Sequence, residues 1–114
     1  MPVTADEIFT QITDAAEGAF KEGWAAVQNY APAEFKKMAV QLEDIATNVA
    51  LFAVDDSQGY SPATGKLLFQ MQRLSCEAVL VAVTQLTMIA VQKALNAILK
   101  VLKSAFQGAL AAVL

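Results

Sequence analysis

The chain contains no histidine. That removes the commonest general base, the commonest metal ligand and every triad that relies on an imidazole. It also removes the Glu-x-x-His pairs that di-iron helical bundles need. One cysteine, Cys76, excludes a disulfide within the chain and with it a secreted disulfide scaffold. A single arginine, a pI near 4.7 and no basic patch interleaved with aromatics argue against nucleic acid, because phosphate binding needs clustered cations. Glycine (5) and proline (3) are scarce, so the chain has few of the residues that stop a helix. Charged residues make up only 17%, below the roughly 25% of an ordinary globular chain.

What is present is apolar and helix-forming. Hydrophobic residues reach 56% of 114, enough for one domain, residues 1–114, with a modest core. A chain this apolar is not disordered. The start, MPVTADEIFTQITDAAE, is acidic early and lacks a basic region followed by an apolar one. The longest uncharged run, Ala78 to Gln92, falls short of the about 20 residues that span a bilayer. Cytoplasmic residence is the expectation. Residues 1–56 carry ten acids against three lysines, a net of −7; residues 57–114 carry one acid against four lysines and an arginine, a net of +4. Opposite halves of this kind are expected to attract within the fold or between subunits, although each exposed pair is worth only about 0–1 kcal/mol.

Periodicity divides the chain into three helical segments, at about 4–30, 32–54 and 62–114. Thr4 and Glu7 have capping-box spacing, with Val3 and Ile8 at the staple positions around them. Phe9, Ile12, Ala16, Phe20, Gly23 and Val27 then recur in steps of three or four. The Ala31-Pro32 step closes the first segment, and Pro32 suits the first turn of the second. Phe35, Met38, Leu42, Ile45, Val49 and Phe52 follow at strict three-four spacing, a coiled-coil-like seam. "DDSQGYSP", Asp55 to Pro62, reads as a loop, with Ser61 capping the third segment.

From Ala63 onward there is no proline and only Gly65 and Gly108. An unbroken helix there would run roughly 75 Å at 1.5 Å per residue, whereas a compact chain of this size has a radius of gyration of about 13 Å. Either the segment breaks, between Thr84 and Asn96, or it projects and requires a partner. The absence of a breaker favours the long helix. The expected fold is therefore all-α: an antiparallel helical hairpin plus a long C-terminal helix, a three-helix unit completing a bundle by oligomerisation. In QKALNAILKVLKSAFQGALAAVL, Gln92 to Leu114, the polar residues keep to one narrow stripe. Leu95, Ile98, Leu102, Phe106 and Leu110 are then the expected interface of a homo-oligomer, most simply a dimer.

No catalytic, cofactor-binding or metal-ligating set emerges. Glu43 and Asp44 point about 100° apart on a helix, Asp55 and Asp56 lack the alternation of a calcium loop, and Ala63-Thr64-Gly65-Lys66 lacks the first glycine of a P-loop. Cys76 has no activating base and reads as a small buried hydrophobe. Three classes of function fit. The first is a non-enzymatic helical assembly module that associates with itself or docks on another protein. The second is a peripheral membrane or hydrophobic-surface binder using the amphipathic C-terminal helix. The third is an apolar-ligand carrier walled by Met38, Met71, Met88 and the phenylalanines.

Overall fold

Thr4 opens the first helix as the sequence predicts. In the computed structural model, which describes residues 3–114, the Glu7 amide donates to Thr4 Oγ1 (3.2 Å). Helix α1, Ala5–Phe20, buries Ile8, Ile12, Ala16 and Phe20. The first segment does not run on as one helix. Lys21 takes φ 55°, a short 3-10 turn covers Lys21–Gly23, and α2 is the single turn Trp24–Val27. Gly23 faces Leu86, where an added Cβ would lie 3.3 Å from a Leu86 methyl, so the bend fits against a segment some sixty residues further along the chain.

Helix α3, Ala31–Val54, starts with Pro32 in its first turn. Its seam is the centre of the molecule: Met38, Leu42 and Ile45 are fully buried, with Phe35 and Val49 beside them. The loop that follows is held by Asp55, which accepts from the Ser57 amide (3.0 Å) and hydroxyl (2.7 Å). Gly59 has φ 60° and passes so close to Asn48 that a Cβ would lie 2.0 Å from its carbonyl oxygen, so no other residue fits this turn. Ser61 caps helix α4, Pro62–Thr84, and accepts from the Thr64 amide (3.3 Å).

The long C-terminal helix does not exist as one piece. Gln85 adopts the left-handed conformation (φ 64°, ψ 12°) and closes α4, the Leu86 amide donates to Thr84 Oγ1 (3.2 Å), and Thr87 caps helix α5, Met88–Ala105. A second break follows at Phe106–Gly108, with Gly108 at φ 72°, before α6, Ala109–Val113. Thr84 and Thr87 together supply the hydrogen bonds that a glycine or proline break would otherwise need. Of the two ways to relieve the length mismatch, the chain takes the break.

The described residues form a compact all-helical body with a radius of gyration of 14.1 Å and extents of 45 × 23 × 19 Å. α1 lies between α5 and α3, α4 packs along the other side of α3, and α6 closes the end against α3 and α4. At that end Gly65 lets α4 approach closely: a Cβ there would lie 2.8 Å from Ile45 Cγ2 and 2.9 Å from Val113 Cγ1. Three ion pairs are found among the described residues: Lys36–Asp6, Lys37–Glu34 and Arg73–Glu77. Each lies within one half of the chain, so no ion pair among the described residues joins the two halves.

Candidate functional site

The residues expected to form an intersubunit surface lie in the core of a single chain. Leu95, Ile98 and Leu102 are fully buried on the face that α5 turns inward, and Leu110 is 1% exposed on α6. Phe106 is partly buried at the cap that ends α5. Once the helix breaks twice, α1, α3 and α4 cover this stretch within a single chain. The opposite stripe, Lys93, Asn96, Lys100, Lys103, Ser104 and Gln107, is exposed, as a solvated edge should be.

The unusual element is α4. Its inward face carries Gly65, Phe69, Cys76 and Leu80, and also the buried Glu77, which is 2% exposed. Arg73 Nε donates to Glu77 Oε1 (2.8 Å), and Gln92 Nε2 on α5 donates to Glu77 Oε2 (3.3 Å). Arg73 also reaches the carbonyl oxygen of Gln92 and Oδ1 of Asn96, so one network ties α4 to α5. Both carboxylate oxygens of Glu77 are thus satisfied, which makes a buried charge tolerable. Glu34, on α3, is 5% exposed and pairs through Oε2 with Lys37 (3.0 Å), while its Oε1 is buried without a partner.

Cys76 lies fully buried in the core. Burial, then the nearby charges of Glu34 and Glu77, push its thiol up to about 12 against only partial relief from Lys37 and Arg73. A thiol so placed is neither a nucleophile nor a metal ligand at neutral pH. Among the described residues no three His, Cys, Asp or Glu side chains gather as a metal site. Glu43 and Asp44 diverge: Glu43 accepts from the amide of Ala5, pinning α1 to α3, while the Asp44 carbonyl accepts from Asn48. Nor do the methionines line one chamber, since Met38 is fully buried and Met71 is 67% exposed.

The outward face of α4 is the surface that sequence reasoning missed. Leu67, Met71 and Leu74 are 63%, 67% and 60% exposed, and Ala78 and Ala82 continue the stripe. These positions fall on the side of the helix opposite Cys76. Between Leu67 and Thr84 the only charged residues are Arg73 and Glu77, which are turned toward α5 and each other. The helix therefore departs from an ordinary surface helix: its ion pair is inside while Leu67, Met71 and Leu74 are outside. By length and composition α4 is also long and apolar enough to cross a membrane. The expectation that no stretch reaches that length rested on uncharged runs, whereas α4 carries Lys66 near its start and the paired Arg73 and Glu77 at its middle. A smaller apolar groove of about 520 Å³ lies at the end of α3, lined by Ala50, Leu51 and Val54 but edged by Asp55 and Gln58.

The signal for the α4 stripe was present as 67-71-74-78 spacing. It was masked by a second apolar set on the same helix, Gly65, Phe69, Cys76 and Leu80. Comparison of the chain with protein-family models, with curated proteins and with solved structures gives no match.

Proposed function

We propose that this protein is a helical assembly module that works by docking the outward face of α4 on a partner protein, without catalysis of its own. One observation carries this reading: a stripe of Leu67, Met71 and Leu74, each at least 60% exposed, on a helix whose Arg73 and Glu77 are turned toward each other and α5. Covering side chains of this size is worth about 1 kcal/mol or more apiece, given about 1.5–3 kcal/mol for complete burial of a Leu or Met. Contiguous exposed apolar patches mark interaction sites on otherwise soluble folds. The reading includes self-association, and a cytoplasmic setting in which a lone thiol stays reduced.

The test is Leu74→Glu. It should preserve helicity and melting temperature, because Leu74 contributes little to the core, and it should reduce the mass measured by light scattering or abolish binding to a partner. A Leu74→Glu protein that melts far below the parent would mean that α4 packs this face inward, and the reading would fall.

A second reading is favoured by the length and apolarity of α4, namely peripheral attachment to a lipid surface through the same face. Surface-seeking helices usually flank their apolar face with several cations, and on α4 Lys66 is the one exposed charge. Co-sedimentation with phosphatidylcholine vesicles, lost in Leu74→Glu, would transfer the face to lipid.

A further inference from the structure

Building on the docking face just described, we propose that its occupant is α4 of a second copy of this chain, packed antiparallel across a two-fold axis at the level of Met71 to Leu74. The spacing of Leu67, Met71, Leu74 and Ala78 alternates four and three, which keeps a straight seam along a helix pair. The seam is tapered. Its N-terminal part carries the large side chains Leu67, Met71 and Leu74, all strongly exposed, and its C-terminal part the small Ala78 and Ala82.

The taper selects the orientation. A parallel pair would set Leu67 on Leu67 at one end and Ala78 on Ala78 at the other, splaying the helices apart where they should close. An antiparallel pair cancels the taper: Leu67 packs on the partner's Ala78, Met71 on the partner's Leu74, and the two-fold axis repeats both layers. Such isologous contacts are the commonest way for identical chains to associate. Charge agrees with size. Parallel packing would bring the two exposed Lys66 side chains together, whereas antiparallel packing directs each toward the carbonyl end of the other helix, where a cation is favoured. Arg73 and Glu77 satisfy each other and α5, so no unpaired charge is carried into the interface.

Cross-linking tests this in a Cys76→Ala background, which removes the native thiol. A variant carrying both Leu67→Cys and Ala78→Cys should oxidise to a covalent dimer under mild glutathione, since these positions face each other across the antiparallel seam. Within one chain they lie about 16 Å apart on the same helix, at 1.5 Å per residue, too far to bridge. Leu67→Cys alone should give little dimer, and light scattering of the parent should report twice the 12.2 kDa chain mass. Efficient cross-linking by Leu67→Cys alone would establish parallel packing and overturn the antiparallel pairing, while the docking reading survived. A 12.2 kDa particle at high micromolar concentration with no cross-linking in any variant would overturn self-pairing altogether. If that monomer also behaved identically with and without Leu74→Glu toward vesicles and partners, the docking reading would fail as well.

Discussion

Gly65 and Gly18 are both helical glycines, yet their surroundings give them opposite roles. At Gly65 a Cβ would press on Ile45 and Val113 at 2.8 and 2.9 Å, and α3 and α6 would have to move apart. Gly65→Ala should therefore cost about 1–3 kcal/mol, the usual range for overpacking, read as a lower midpoint in urea. At Gly18 nothing lies within 4 Å, so Gly18→Ala should stabilise by about 0.5–1 kcal/mol through helix propensity alone. Cys76 gives a prediction in pH. Its native thiol is raised from 9.0 to about 12 by burial, so the folded protein holds this proton more tightly than the unfolded chain does. The resulting stabilisation is complete below pH 9 and is lost as pH rises from 9 toward 12. Tyr60, also raised by burial and then by Asp44, adds a loss of the same sign starting near its ordinary value of 10.0. Stability measured from pH 9 to 10 should fall in the parent, and Cys76→Ala should remove most of that slope. An Ellman's reaction of native protein that is fast at pH 8 would contradict the buried thiol.

At the scale of the element, the junction between α4 and α5 is the sharpest departure from expectation. Gln85 holds a left-handed conformation that costs an L-residue roughly 1–2 kcal/mol, and Thr87 caps the next helix by accepting from the Ala90 amide at 3.1 Å. Gln85→Gly should stabilise by about 1 kcal/mol, since glycine adopts this conformation without the Cβ clash. Thr87→Ala should destabilise by about 1 kcal/mol through loss of the cap. Thermal denaturation of the pair decides whether the break is a fixed part of the fold. If Gln85→Gly destabilised and Thr87→Ala had no effect, α4 and α5 would instead be one continuous helix in solution.

For the whole molecule, the two apolar surfaces respond differently to a charge. Ile98 is fully buried, so Ile98→Lys strands an unpaired charge in the core and should unfold the chain, with loss of helical circular dichroism. That is a different outcome from dissociation of an otherwise intact subunit, which is what Leu74→Glu should produce. Small-angle scattering of the Leu74→Glu protein should then give a radius of gyration slightly above the 14.1 Å of one chain. An extended rod would contradict the compact arrangement.

Local chemistry was legible from the order of residues. Thr4, Pro32, Ser61 and the loop from Asp55 each act within a few residues of themselves, and the seam from Phe35 to Val49 needs only the helical repeat to bring its members together. The all-helical class follows from the same source. Three things were decided by the tertiary structure. Lys21 and Gln85 break helices with residues that carry no breaker signal, because their backbone cost is offset only by packing that distant segments complete, Leu86 against Gly23 among them. Leu95, Ile98 and Leu102 looked like a surface in need of a partner because their covering, chiefly α1, lies some eighty residues earlier in the chain. On α4, two apolar stripes compete for the core, and periodicity ranks them equally. The stripe bearing Gly65, Phe69, Cys76 and Leu80 goes inward, with Gly65 letting the helix come close to α3 and α6, and Leu67, Met71 and Leu74 are left outside.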